Sequence, residues 1–273
     1  MKIKNIFYNT KIKFNNDFSL VLSGGSALGF AHVGVIKYLE EIKTTPKEII
    51  GTSMGALIGA AYAMGKNYND IIEIISKLNY LKLFKVNFLP INSLIKINKI
   101  KSLLEEIFLN ITFEDLNIPL KIIATNIETG EATVFDKNSK VPLIDAICAS
   151  FSVPALFEKY EINGKYYWDG FLSSNLPVEY SSYKKILAIN VVKKDIIKKV
   201  HHIKLNQAIE KTILILLLNQ TIDKIKHYPD IYFVDMDLSM YNMFEFYKWQ
   251  EIINTGYIFF SKYINTINNK KIS

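Results

Sequence analysis

The segment Ile49-Ile50-Gly51-Thr52-Ser53-Met54-Gly55-Ala56-Leu57-Ile58-Gly59-Ala60 constrains this chain more than any other. It reads as a short apolar strand, a turn bracketed by glycines, and a helix of small residues. Gly51-Thr52-Ser53-Met54-Gly55 fits G-x-S-x-G, the nucleophile elbow. In such an elbow, strand and helix pass so closely that the positions two before and two after the serine must be small. The turn lifts the hydroxyl out of the sheet edge. The following helix aims its positive N-terminal dipole where an oxyanion would form. Ser53 is therefore a candidate nucleophile; the alternative is a plain turn serine.

Around this elbow the pattern alternates strand and helix. Phe18 to Ser23 is a buried strand running into Gly24-Gly25-Ser26-Ala27-Leu28-Gly29, followed by a helix from about Phe30 to Ile42 with Ala31, Val35, Ile36 and Leu39 on one face. Glu48 to Ile50 is the strand that carries Ser53, and Met54 to Met64 a helix closed by Gly65. Helices are expected over Asn69 to Leu78 and Ile100 to Leu109, and a strand over Leu120 to Asn126. That strand turns back at Glu128 to Glu131 into Ala132 to Phe135. A short helix over Pro142 to Ala149 precedes a hairpin from Tyr160 to Trp168 that turns at Asn163-Gly164. Lys185 to Val191 is a further buried strand. Lys198 to Ile225 reads as helical, Ile231 to Val234 as a last strand, and Met243 to Ile264 as a closing amphipathic helix. This order predicts an α/β fold with a mostly parallel sheet and helices on both faces. Residues 1–17 read as a leader, 18–192 as the core and 193–273 as a C-terminal helical cap. No Pro- or Gly-rich linker divides them, so a single domain is expected.

Composition narrows the partners. The chain has 273 residues, 49% of them hydrophobic, enough for a substantial core. The formal net charge is +7 and all 33 basic residues are lysines. Without arginine there is no bidentate fork for phosphate or guanine, so nucleic acid is not expected as a partner. A diffuse lysine excess suits peripheral contact with an anionic membrane surface, although solubility and a lysine-rich codon bias explain it as simply. The one cysteine, Cys148, excludes an internal disulfide and a cysteine-based metal site, and it reads as a small core residue. The N-terminus lacks the apolar core of a signal peptide, and the longest strongly apolar run, Thr212 to Leu218, is too short to span a bilayer. The expected location is cytoplasmic, with membrane contact from the inner surface at most.

An activated serine needs a base and donors for the oxyanion. Gly24, Gly25 and Ser26 lie after the first strand and before a helix, where bare N–H groups form an anion nest; the plainer reading is a tight strand-to-helix turn. Among the histidines, His32 falls on the first helix, in the core and satisfied by a backbone partner. His201 and His202 open a lysine-rich helix, and His227 precedes a Tyr-Pro turn. None has the loop setting of a triad base, though His227 stays a candidate. Asp169 ends the aromatic strand Tyr166-Tyr167-Trp168 and is followed by Gly170. A carboxylate desolvated among aromatics gains basicity and can take the serine proton directly. The alternative is an Asp-Gly turn.

These segments, in this order, resemble the bacterial patatin-like phospholipases. Leu20 to Gly34 resembles the family's glycine-rich oxyanion segment, including Gly29. Gly51 to Gly55 resembles its nucleophile motif, and Ala124-Thr125-Asn126 to Thr129-Gly130-Glu131 a family hairpin. Ala149-Ser150 to Pro154-Ala155-Leu156-Phe157 resembles the segment ahead of the aspartate, Asp169-Gly170 through Asn175-Leu176-Pro177 the dyad motif, and Pro229-Asp230 to Gly256-Tyr257 the tail of bacterial members. The resemblance implies a three-layer α/β/α sandwich and a Ser-Asp dyad with Ser53 as nucleophile and Asp169 as base. It implies an oxyanion hole from the backbone of Gly24, Gly25 and Ser26, and hydrolysis of acyl esters of lipids or lysolipids through an acyl-enzyme. A dyad needs no metal or other cofactor. Three positions depart from the family pattern. Ser26 stands for the middle glycine, and a backbone donor survives there if its φ is negative. Leu28 stands where Lys or Arg is usual, and Phe171 where Gly or Ala is.

Three readings compete. The first is a lipid acyl hydrolase, in which residues 79 to 98, rich in Leu, Phe and Lys, form a membrane-facing lid or an ordinary amphipathic segment. The second takes Gly24 to Gly29 as a dinucleotide loop. It lacks the acidic residue at the end of the next strand, and no G-K-[ST] is present. The third is a non-catalytic lipid-binding or regulatory relative, which retention of Ser53 and Asp169 disfavours.

Overall fold

A computed structural model of the chain describes residues 17–80, 97–154, 156–192, 205–228 and 231–269. The leader up to residue 16, residues 81–96 of the anticipated lid, His201, His202, and Pro229-Asp230 of the tail motif lie outside the described residues, as does Ala155.

The elements follow the alternation read from the sequence. Strand β1 (Ser19–Leu22) passes through a 3-10 turn (Ser26–Phe30) into α1 (Ala31–Glu41), and β2 (Glu48–Thr52) passes through Ser53 into α2 (Met54–Ala63). Helices α3 (Tyr68–Tyr80) and α4 (Asn98–Phe108) precede the hairpin of β3 (Leu120–Asn126) and β4 (Ala132–Phe135). Helix α5 (Leu143–Phe151) leads to the hairpin of β5 (Tyr160–Ile162) and β6 (Lys165–Asp169), then the single turn α6 (Phe171–Ser174) and β7 (Ile186–Asn190). Helix α7 (Leu205–His227), β8 (Tyr232–Asp235) and α8 (Trp249–Asn269) complete the described chain.

The eight strands form one sheet in the order β5-β6-β3-β2-β1-β7-β8, with β4 also paired to β3. The run from β3 to β8 is parallel, and β4, β5 and β6 are antiparallel additions. Alternate residues of the central strands serve two separate layers, as the two-residue side-chain period requires. Leu20, Leu22, Ile49, Ile122, Leu187 and Ile189 join the large core under α1, α2, α5 and α8. Val21, Ile50, Ile123 and Ala188 face the other way, against Leu176, Val178 and the C-terminal end of α7. Each fully buried Leu or Ile contributes about 1.5–3 kcal/mol, so both faces of the sheet are covered, as a parallel sheet demands. Cys148 is buried in the larger core, as its setting suggested.

The local outcomes follow the sequence reading closely, with one helix start displaced. Residues 26–30 form a 3-10 turn ahead of α1, which begins within one residue of the expected Phe30; in this turn Ser26 has left-handed backbone (φ +53°) and Leu28 N–H closes onto the Gly25 carbonyl at 3.1 Å. The last helix starts at Trp249 rather than Met243. The Met243 carbonyl is committed to the Ala27 N–H at 2.9 Å, which ties this stretch to the glycine loop instead. Strand β8 extends the sheet through β7, where the sequence places a last strand over Ile231 to Val234. Helix α8 lies against α1 at a glycine on each side. A Cβ on Gly34 would sit 2.3 Å from the Ile253 carbonyl oxygen, and one on Gly256 2.4 Å from that of Ala31.

Candidate active site

Strand β3 is the ruler that assembles the site. It pairs in parallel with β2, Ile123 opposite Thr52, and antiparallel with β6, Ala124 opposite Asp169. The residue after Thr52 and the last residue of β6 are thereby delivered to one place, at the C-terminal ends of the parallel strands. The loop after β1 arrives there too, because β1 is the strand from which the order runs outward in both directions, the position where ligand crevices open in such sheets.

Ser53 sits at φ +55°, ψ −123°, a conformation that a residue with a side chain adopts only when its surroundings impose it. The glycines impose it here. A Cβ on Gly51 would lie 2.5 Å from the Gly55 carbonyl oxygen, and one on Gly55 2.4 Å from that of Leu22. Two bonds fix the turn: the Ser53 N–H donates to the Ser150 hydroxyl at 2.8 Å, and the Thr52 hydroxyl donates to the Ser174 carbonyl at 2.9 Å.

The Ser53 hydroxyl donates to Asp169 Oδ2 at 2.5 Å. The other carboxylate oxygen, Oδ1, accepts the Phe171 N–H at 2.9 Å. Asp169 is wholly buried, which raises its pKa to about 7 against the lowering effect of its bonds from Ser53 and Phe171. No charged side chain among the described residues contributes to that shift. Gly170 permits the approach: a Cβ there would meet the Ile123 carbonyl oxygen at 2.3 Å.

The glycine loop faces this pair, but its three residues are not equivalent. The Gly24 N–H is already spent on the Asn175 carbonyl at 3.2 Å, so it is withdrawn from the anticipated donor set. Among the described residues, no hydrogen bond engages the N–H of Gly25 or Ser26. The negative φ on which the Ser26 reading depended is not found; its φ is +53°, a glycine-like position occupied by serine. Gly29 packs against Met54 at the head of α2, and Leu28 is buried in the core, so no cation stands beside the loop at that position.

The histidines stay apart from this chemistry. His32 Nε2 donates to the Ser23 carbonyl at 2.8 Å, and burial lowers its pKa to about 4, leaving a neutral tether behind the glycine loop. His227 is exposed at the end of α7 and bonds to the Asp223 carbonyl.

A cleft opens over Ser53. The space over it, open to solvent, amounts to about 290 Å³ and is walled by Gly25, Ser26, Val153, Phe171, Ile213, Leu217, Met243 and Phe244. Its lining is apolar apart from the two serines and the glycine-loop backbone. Phe171 thus has two parts in the site, a wall by its ring and a donor to Asp169 by its backbone. The α7 residues Ile213 and Leu217 carried no sequence signal for this site, and Ser150 stood only within the segment that resembles the one ahead of the family's aspartate. Each reaches it through packing of an element distant in sequence. Among the described residues, no helix is long and apolar enough to cross a membrane.

A family model described as patatin-like phospholipase matches residues 20–181. An NTE family protein of Mycobacterium tuberculosis is 29% identical over 162 residues, which is 59% of this chain and 44% of that protein. Patatin-like phospholipase domain-containing protein 6 of Mus musculus is 27% identical over 203 residues, 68% of this chain and 14% of that protein. The chain therefore spans less than half the length of these curated relatives. The crystal structure of VipD from Legionella pneumophila shares the fold, with a TM-score of 0.50 at 12% identity over 92% of this chain and 67% of the other.

Proposed function

The chain belongs to the patatin-like phospholipase family, and on that premise we propose that it is a serine acyl hydrolase cleaving fatty-acyl esters of phospholipids or lysolipids through a Ser53–Asp169 dyad. The observation that carries the reading is the 2.5 Å hydrogen bond from the Ser53 hydroxyl to a wholly buried carboxylate whose pKa is raised to about 7. A carboxylate of that basicity is matched to general-base work near neutral pH.

In this mechanism Ser53 Oγ attacks the acyl carbonyl carbon while its proton passes to Asp169 Oδ2. The tetrahedral oxyanion is met by the N–H groups of Gly25 and Ser26, which no other hydrogen bond engages among the described residues, that of Ser26 being offered from left-handed backbone, and by the N-terminal dipole of α2. Collapse expels the alcohol, which takes the proton from Asp169, and leaves the acyl group on Ser53. Water then attacks the acyl-enzyme with Asp169 again accepting a proton. A second collapse frees the fatty acid and returns the proton to Ser53. The apolar walls of the cleft receive the acyl chain, and Phe171, in place of a smaller residue, narrows it. Peripheral contact with a membrane surface would bring the lipid to this cleft.

Labelling with a fluorophosphonate probe tests the reading. Wild type should label and Ser53→Ala should not. An unlabelled wild type, or a labelled Ser53→Ala, defeats the dyad. A phospholipid panel with wild type and Asp169→Asn then separates hydrolase from lipid binder. Lipid binding without turnover would establish the non-catalytic alternative.

A further inference from the structure

We infer that Gln220, on α7 and beyond the segment matched by the family, is a positioning residue that holds the Asp169 segment and the glycine loop in one register. The inference rests on the dyad reading above.

Its side chain uses both amide N–H donors and one lone pair of the amide oxygen. Nε2 donates to the Phe171 carbonyl at 2.9 Å and to the Leu172 carbonyl at 2.8 Å, and Oε1 accepts the Asn175 N–H at 3.0 Å. The amide orientation is set by these partners, because the flipped form would place oxygen against two carbonyls and an N–H against an N–H. In a continuing α-helix the Asn175 N–H would bond to the Phe171 carbonyl four residues back. Gln220 is inserted between those two groups and bonds to each, which accounts for the end of α6 after a single turn although Asn175 itself is still helical.

Both partners lead directly to the reacting groups. The N–H of Phe171 donates to Asp169 Oδ1 at 2.9 Å. The carbonyl of Asn175 accepts the Gly24 N–H at 3.2 Å, at the start of the loop that carries the remaining donors. One half-buried side chain thus connects the base to the oxyanion loop. Its helix is anchored one turn further on, where Lys224 donates to the Ser174 hydroxyl, to the Leu176 carbonyl at 3.2 Å and to Glu179 at 2.5 Å. One turn earlier, Leu217 forms a wall of the cleft.

Gln220→Met keeps length and removes all three bonds. On a soluble short-chain p-nitrophenyl ester, kcat should fall about tenfold with KM within about twofold, because the binding walls remain while base and donors lose register. Amide hydrogen exchange at Gly24 and Phe171 should speed by at least about tenfold. Unchanged kcat in an active enzyme, or unchanged exchange at those amides, overturns the inference, as does a fall in melting temperature alone. Should Gln220→Met not fold, Gln220→Ala, which leaves room for water at the three partners, carries the same measurements. A wild type that neither labels nor hydrolyses defeats the dyad reading instead, and exchange at Gly24 and Phe171 then decides whether Gln220 bridges the two segments.

Discussion

The backbone N–H of Ser53 donates to the side-chain hydroxyl of Ser150, 97 residues later, at 2.8 Å. The elbow turns this N–H away from the strand ladder, and α5 supplies the acceptor. Ser53 is therefore held by its main chain from one side and by Asp169 through its hydroxyl from the other.

Removing that acceptor leaves a buried donor unpaired, which costs about 1–3 kcal/mol. Ser150→Ala should lower stability in urea unfolding by this amount and slow fluorophosphonate labelling of Ser53. A variant as stable and as reactive as wild type would show that the elbow stands without it.

The Asp169 carboxyl links stability to pH. Its folded pKa of about 7 lies above the ordinary value of 3.8, so the proton is bound more tightly in the folded state. The stability this gives is complete below the unfolded pKa and is lost as pH rises through about 7, a total of about 4 kcal/mol. Asp169→Asn removes the burden of a buried charge. It should be more stable than wild type at pH 8 and lose that advantage at pH 4, while activity falls about 10²–10⁴-fold. Denaturant titrations at the two pH values check the sign.

The same group sets the pH dependence of rate. Asp169 can accept the Ser53 proton only when ionised, so hydrolysis should rise with pH through about 7 and level off above it. His32, held neutral down to about pH 4, contributes no limb in this range. A profile rising through the range of an ordinary exposed carboxylate would contradict a buried base.

Ser26 occupies left-handed backbone at φ +53°, where a side chain costs about 1–2 kcal/mol. Ser26→Gly should raise stability by up to that amount, offset in part by the greater freedom of glycine in the unfolded chain, and should keep or increase turnover. Ser26→Val should lower both. Melting temperatures and initial rates of the two variants decide.

Much of the fold was legible because its signals are local. Alternation of apolar strands with amphipathic helices gave the element order, and β3 and β4 appear with the bounds read from the chain. The Asn163-Gly164 turn has positive φ at both residues, as the pair requires. The boundaries that moved did so through tertiary bonds, such as Ala27 to Met243, which delays the last helix.

For the site, Gly51, Ser53, Gly55, Asp169 and Gly170 were marked by the sequence itself, because an elbow and an Asp-Gly strand end each carry their requirement in adjacent residues. Tertiary structure alone decided the rest. It spent the Gly24 N–H on Asn175, gave Ser26 its positive φ, and brought Ser150 to Ser53 and Gln220 to the backbone of Phe171, Leu172 and Asn175. Backbone conformation and hydrogen-bond partners at such positions are set by the pairing of β3 with both β2 and β6, by the docking of α7, and by bonds such as that from Thr52 to Ser174, 122 positions apart, none of which a local pattern encodes.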